Sequence, residues 1–160
     1  MSGLEGLEEL TLRLKKMDKA LTKAATKGAR QGASEIAKNA KKRAPVDTGE
    51  LRNSIKVDAR ADGDDIIGAV TVGAEHGAYV EFGTGPMGEY MENGFGPMAP
   101  VNVTHRTKGW VYTNPKTGER VFTLGNFARP FLYPAFLESR EKAEELVAQA
   151  LREVLKEGGG

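Results

Sequence analysis

The residues most able to do chemistry form the triplet Asp47-Thr48-Gly49. In aspartic proteases, paired aspartates from two such triplets share a proton and act together on a peptide bond. Ile66-Ile67-Gly68 also resembles the apolar-apolar-Gly element of those proteases. However, residues 41–45 are largely basic and end in a proline, where an apolar strand would be needed, and Glu50 follows where a small residue would be needed. A dimeric aspartic protease is therefore an alternative and not the first interpretation.

Two other groups of residues could bind a ligand. His76 and Glu81, together with His105, could be combined into a metal site, but their spacing matches no zinc pattern. The glycines around Thr84 could cradle a phosphate, but the Gly-Lys-Ser/Thr end of a phosphate loop is absent. The sequence contains no cysteine. We therefore predict no catalytic residue, no cofactor and no metal ligand, and we expect the protein not to be an enzyme.

The segment around the triplet is also a strong signal of local structure. Pro45 cannot continue a helix and disfavours the helical conformation of the residue before it. Asp47 with Glu50 three residues later predicts a capping box, in which Asp47 caps a short helix that continues through Leu51 to Ser54. The segment thus ends one helix and begins another.

A long amphipathic helix should precede this segment, from about residue 4 to residue 43. Leucines and a methionine recur at spacings of three and four up to Leu21, and small residues replace them from Ala24 to Ala40. Such a helix would be about 60 Å long at ~1.5 Å per residue. We expect it either to break near Gly28 or Gly32, or to pack against neighbouring subunits.

Four lysines, which we call the lysine face, recur every four residues along this helix: Lys15, Lys19, Lys23 and Lys27. Residues at this spacing share one slowly rotating face of a helix. The face could be ordinary solvated surface, or it could face DNA phosphates inside a ring. A basic-helix nucleic-acid-binding module is therefore a second alternative function.

The rest of the chain predicts an α+β fold. Alternating residues indicate strands at 55–60 and 66–73, which should pair as a hairpin, and a second hairpin is expected from Trp110 to Thr123. Residues 86–104 should form a long loop, and Pro130 should open a C-terminal helix. We predict an antiparallel sheet of about four strands packed against two long helices. Tyr79, Val80 and Phe82 should lie in the core, and Glu81 should bind a basic residue or backbone amides.

Three ordered motifs give the chain a resemblance to a known family. The first runs from Ala44 to Ile55, the second from Tyr79 to Thr84, and the third from Ala128 to Phe136. In this order they resemble a family of neck or tail-component proteins from long-tailed phages. The motif residues that we take as structural are Pro45, Asp47, Thr48, Gly49, Glu50, Leu51, Tyr79, Glu81, Phe82, Gly83, Thr84, Arg129, Pro130 and Phe131.

The resemblance implies a structural role at the junction of head and tail in the virion. It implies a homo-oligomeric ring, of roughly six or twelve copies, with head-completion or connector proteins and tail-terminator or tail-tube proteins as neighbours. Phage DNA would pass through the ring and touch it only transiently and without sequence specificity. The segment from about 86 to 125 is longer than the family pattern requires, and its partner is left open.

Composition sets the remaining bounds. The chain has 160 residues, a net charge of +1 and 39% apolar residues. These values predict one domain over residues 1–160 with a thin core, and the resemblance implies that this domain carries an insertion at about 86–125. No apolar run reaches the ~20 residues of a membrane span, and no apolar signal core follows Met1. We therefore expect a protein made in the host cytoplasm, with no membrane partner.

Overall fold

The computed structural model describes residues 3–47, 49–89 and 106–158. Thr48 and most of the predicted 86–104 loop (residues 90–104), as well as His105, lie outside the described residues. The elements in chain order are helix α1 (Gly3–Arg43), helix α2 (Glu50–Asn53), strand β1 (Ile55–Asp62), strand β2 (Asp65–Val72), helix α3 (Gly77–Phe82), helix α4 (Gly85–Glu89), strand β3 (Trp110–Thr113), strand β4 (Arg120–Thr123) and helix α5 (Leu132–Gly158).

Helix α1 is unbroken over 41 residues, which confirms its predicted length. Its two central glycines do not break it because they are where α5 packs most closely. A Cβ atom on Gly28 would lie 2.7 Å from Val147 Cα, and one on Gly32 would lie 2.9 Å from Ala143 Cβ. Between these two contacts the residue number rises along α1 and falls along α5, so the two helices are antiparallel. The small residues of α1 therefore serve close packing within the chain itself.

The β1–β2 hairpin packs on a neighbouring side of α1. The strands are antiparallel, as predicted from the alternating pattern. Ile55 lies opposite Val72. Gly68 allows the close approach, since a Cβ atom there would lie 2.8 Å from the carbonyl oxygen of Ala29. The Arg30 guanidinium donates a hydrogen bond of 3.3 Å to the Ala59 carbonyl. The hairpin is thus fixed to α1 by backbone proximity and one long side chain.

The core is thin, as the composition predicts. Its buried cluster is mostly alanine, and two large members that connect different elements are Leu51 of α2 and Phe131 before α5. Buried Ser139 accepts a hydrogen bond of 2.8 Å from the Asn39 amide and so joins α5 to α1. Near the end of α1, Arg43 makes an ion pair with Glu138. Large apolar side chains are instead frequent on the surface.

The predicted capping box at Asp47 is wrong. Helix α2 begins at Glu50, and its N-cap residue is Gly49, which has a φ of 79° and no side-chain hydrogen bond to the helix. The left-handed turn at Gly49 sets where the helix starts, so Asp47 lies two residues before the cap and the box cannot close. The short helix itself, with Leu51 buried, is confirmed.

The α+β class and the number of strands are confirmed in the part of the chain that the structure describes. The four strands form two separate antiparallel hairpins, β1–β2 and β3–β4, and not one continuous sheet. In the second hairpin Trp110 lies opposite Thr123. Part of the predicted 86–104 loop is helical, because α4 spans Gly85–Glu89. The C-terminal helix follows Pro130 as predicted and reaches Gly158.

Candidate functional site

The second and third motifs meet at the buried carboxylate of Glu81. Its Oε2 accepts hydrogen bonds from the backbone amides of Phe131 (2.7 Å) and Leu132 (2.9 Å), and its Oε1 accepts one from Tyr133 (2.8 Å). Only 5% of Glu81 is exposed, and Phe131 is 1% exposed. These amides belong to the start of α5, where a negative charge is favoured by the unpaired N–H groups and the helix dipole. The prediction that Glu81 binds backbone amides is confirmed.

The neighbours of Glu81 explain the other motif positions. The Arg129 amide donates a hydrogen bond of 2.7 Å to the Val80 carbonyl, which lays the chain before α5 along α3. Pro130 has no N–H to satisfy at this point, and the next three amides all go to Glu81. Val80 and Phe82 are half-buried, but Tyr79 is 61% exposed, so its predicted core position is wrong. The short helix α3 turns Tyr79 away from the face that packs inwards.

The Gly83-Thr84-Gly85 segment forms a backbone clasp with Gly125 and Asn126. Thr84 and Asn126 exchange backbone hydrogen bonds of 2.9 and 3.1 Å, and Thr84 Oγ1 accepts a further one of 3.0 Å from the Asn126 amide. A Cβ atom on Gly125 would collide with the Thr84 carbonyl, and its φ of 96° is left-handed. The Thr84 amide therefore already has an acceptor, and the glycines serve the clasp and not a phosphate. The clasp joins the two ends of the 86–125 segment.

The described residues of the first motif form the bend between α1 and α2 and the short helix α2. Asp47 is exposed in the bend between α1 and α2, next to the left-handed turn at Gly49. The triplet of an aspartic protease would follow an apolar strand, whereas this one follows helix α1. Leu51, in contrast, is buried in the core cluster. The motif is thus a structural turn, and its geometry does not favour the protease alternative.

No group of side chains suited to hold a metal ion occurs among residues 6–47, 49–88 and 106–158. His76 is exposed, Glu81 is occupied by three amides, and His105 falls outside that part of the chain. None of the described helices is long and apolar enough to cross a bilayer.

The N-terminal part of α1 extends beyond the rest of the fold. Gly28 lies against Val147, and Gly158 is eleven residues further along antiparallel α5, level with residue 17 of α1. Residues 3–16 therefore project, over about 21 Å at ~1.5 Å per residue. Four exposed apolar side chains, which we call the leucine stripe, follow one side of this part of α1: Leu7, Leu10, Leu14 and Met17.

The leucine stripe continues the face of α1 that packs on α5. Its alternating spacings of three and four lead through Leu21 and buried Ala24 to Gly28, where α5 packs closely against α1. This spacing is the one that brings helices together along a seam. Leu12 is 59% exposed but falls outside the spacing, on another side of the helix. The structure thus shows a helix-packing face whose N-terminal half has no partner among the described residues.

The lysine face lies on a different side of α1. All four lysines are exposed. At 3.6 residues per turn, Lys19 and Lys23 point away from the leucine stripe, and Lys15 and Lys27 lie to either side of them. An exposed face of this kind is compatible with solvent and with phosphate.

A wide apolar groove runs along α1 between α5 and β2. Its volume is about 780 Å³. The floor is formed by small residues of α1 with Ile36, one wall by Val70 and Val72 of β2, and the other wall by Phe136 and Leu137 of α5. A water molecule occupies about 30 Å³, so a groove of about 780 Å³ is large enough for several side chains. The described residues thus leave a large apolar space open to a partner.

The β3–β4 hairpin carries a second apolar surface. Val111 and Phe122 are directly opposite each other across the two strands, and both are exposed. Leu124 and Phe127 extend this surface towards the clasp and are also exposed. Exposed apolar patches of this kind mark contact sites for other proteins.

The sequence did not reveal two of these features. Asn126 and Gly125 were not singled out, although a Gly-Asn pair shortly before Arg129 is a recognisable turn signal. The groove depends on how distant elements pack, so no local pattern could show it, whereas the predicted length of α1 already indicated that part of this helix would stay uncovered.

Comparison with known proteins finds a family whose model matches part of the chain. Residues 8–83, a little under half of the sequence, match the family model HK97-gp10_like, described as "Bacteriophage HK97-gp10, putative tail-component". No curated protein and no solved structure matches the chain. The third motif lies outside the matched range, but Glu81 binds it directly to the second. The resemblance seen in the motifs is thus confirmed over residues 8–83, which are similar to the HK97-gp10-like family of putative bacteriophage tail components.

Proposed function

We propose that this protein is a structural component of the virion at the head–tail junction of a long-tailed phage. The observation that carries the proposal is the family match over residues 8–83, which includes the first motif and most of the second. The match supports a tail component in general. The more specific location rests on the three ordered motifs and on the surfaces that the fold presents.

In this proposal several copies form a ring that joins the capsid connector to the tail and leaves a passage for DNA. The protein acts as one domain with an insertion at about 86–125, and it does no chemistry. Ring closure requires that two different surfaces of each copy meet head to tail. The projecting part of α1 and the apolar groove are two such surfaces on one chain.

Neighbouring virion proteins would contact the remaining surfaces. The exposed apolar side of the β3–β4 hairpin, including Val111 and Phe122, is suited to a head-completion or connector protein on one side, or to a tail-terminator or tail-tube protein on the other. The clasp between Thr84 and Asn126 fixes the base of this hairpin to the fold. The 86–125 insertion would then set which neighbour the ring accepts.

The lysine face would contact the passing DNA. A near-neutral chain with one exposed basic stripe attracts phosphate weakly as a monomer, whereas a ring repeats the stripe around one axis. Weak contact without sequence preference suits a passage, because tight binding would hold the genome in place.

Mass and shape of the purified protein test the proposal. We expect light scattering and negative-stain images to show closed rings with a central hole, either for the protein alone or after addition of isolated tails that lack it. Particles that stay monomeric or dimeric in both conditions would contradict a ring. A stable dimer with proteolytic activity that Asp47→Asn abolishes would instead favour the protease alternative.

A further inference from the structure

We propose that the projecting segment of α1, residues 3–16, binds in the apolar groove of a second copy of this chain. The inference rests on the proposed self-association and not on the location within the virion. It names the contact: the leucine stripe of one copy packs against β2 and α5 of the next.

The two surfaces match in length. The groove follows α5 from Leu132 to Val147, which is about 22 Å at ~1.5 Å per residue. The projecting segment is about 21 Å long by the same rise. An amphipathic helix that lays one apolar face into a groove is a common mode of recognition, with anchors at spacings of three and four. The leucine stripe has these spacings.

The two surfaces also match in chemistry. The groove is lined mainly by small and branched apolar side chains, so its floor allows a helix backbone to come close. At its rim Arg140 pairs with Glu144, and beside the leucine stripe Glu9 pairs with Arg13. Each of these pairs joins one acid to one base, so neither pair adds net charge to its surface. Exposed pairs of this kind add little affinity.

A chain cannot fill its own groove. Ser139 lies at the level of Asn39, so Leu10 is 29 residues away along the straight helix, or about 43 Å. Only a second copy can bring a leucine stripe to the groove. The leucine stripe of one copy and the apolar groove of another are thus the two sides of one contact between molecules.

Cross-linking tests the contact directly, because the natural chain has no cysteine. Leu10→Cys marks the middle of the projecting segment, and Arg140→Cys marks the middle of the groove, so the pair meets in either helix direction. We expect a mixture of the two single variants to give a cross-linked dimer under a short bifunctional thiol reagent. A mixture of Leu12→Cys with Arg140→Cys should give none, because Leu12 lies off the stripe.

The double variant Leu10→Cys/Arg140→Cys then distinguishes the geometry. A ladder of dimers, trimers and larger species supports the contact and a head-to-tail ring. A closed dimer alone supports the contact but contradicts a ring built from it. Strong self-cross-linking of Leu10→Cys by itself would show that two leucine stripes pair with each other, and would overturn the proposal. Absence of any product between Leu10→Cys and Arg140→Cys would overturn it as well.

Charge substitutions give an independent readout on the full chain. Leu14→Glu and Leu137→Glu place a charge in the stripe and in the groove wall, and we expect each to raise the dissociation constant for self-association at least tenfold in sedimentation equilibrium. The controls are Leu12→Glu and Leu155→Glu, which alter equally exposed leucines outside the contact (59% and 55%). Equal weakening by the controls, or none by Leu14→Glu and Leu137→Glu, would contradict the assignment. If rings persist in all four variants, the proposed function stands and this contact fails.

Discussion

The Glu81 carboxylate and the Phe131 amide, fifty residues apart, are joined by a buried hydrogen bond of 2.7 Å. The bond links the segment that matches the phage family to the third motif. Between these two residues, the segment from Thr84 to Asn126 begins and ends at the clasp that joins its two terminal residues. Glu81 therefore holds the start of α5 in place, and α5 in turn forms a wall of the groove.

Replacing Glu81 with glutamine should destabilise the fold. Glutamine keeps one acceptor but turns an NH₂ group towards backbone amides that need an acceptor. Hydrogen bonds to charged groups contribute about 1.5–3 kcal/mol, so we expect a loss of roughly 2 kcal/mol in the free energy of unfolding by urea denaturation. Glu75→Gln, at an exposed position nearby, is the control and should change little. Equal stability of the two variants would mean that Glu81 does not hold α5.

Adding a methyl group to α1 should have opposite effects at the centre of the helix and near its N-terminus. Gly28→Ala puts a Cβ atom 2.7 Å from Val147 Cα, and overpacking of this kind costs about 1–3 kcal/mol. Gly6→Ala meets no atom within 4 Å and should stabilise the helix by up to about 1 kcal/mol. Thermal unfolding of both variants checks this. A stabilised Gly28→Ala would show that α5 does not approach α1 as closely as described.

The first motif should act through Leu51 and not through Asp47. Asp47→Ala should leave the free energy of unfolding within about 0.5 kcal/mol, because Asp47 is exposed and caps no helix. Leu51→Ala should cost about 2–5 kcal/mol, because Leu51 is 4% exposed within the core cluster. A larger destabilisation by Asp47→Ala than by Leu51→Ala, measured by urea denaturation, would restore a structural role for the aspartate.

Changing the lysine face to glutamine should weaken DNA binding without affecting assembly. For assembled protein, the slope of log K against log salt should become less steep by about 0.9 for each phosphate that the lysines no longer neutralise. The control removes the same charge elsewhere on the surface, by glutamine at Lys108, Lys116, Lys142 and Lys156. Filter binding over a salt series gives the slopes. Equal slopes for both variants would leave the lysine face as ordinary surface, and failure of the first variant to assemble would make the face a subunit interface.

Much of the fold could be predicted because its signals are local. The apolar spacing and the proline at residue 45 indicate the extent of α1. Alternation indicates the first hairpin, and the turn at residues 114–118 indicates the second. The role of Glu81 was also accessible, since a lone acid between apolar residues needs a buried partner. The helix and the hairpins depend on neighbours within a few residues. A buried carboxylate such as that of Glu81 has few possible hydrogen-bond partners.

The predictions that were wrong, and the features that were missed, have physical causes that a local sequence pattern does not reveal. At Asp47 the left-handed turn of Gly49 moved the helix start, and so the capping box could not close. At Tyr79 a helix of six residues is too short for periodicity to show which side faces inwards. The division of four strands into two sheets, and the groove beside α1, result from packing between distant parts of the chain. These features required the three-dimensional structure.

The most direct test of the head–tail assignment is to locate the protein in the virion. A small tag after Gly160, visualised with gold-labelled antibody by electron microscopy, marks each copy. We expect the label at the junction between capsid and tail, as a compact collar around the tail axis. Label along the tail or at its far end would contradict the junction, and its absence from intact, infectious particles would contradict a structural role in the virion.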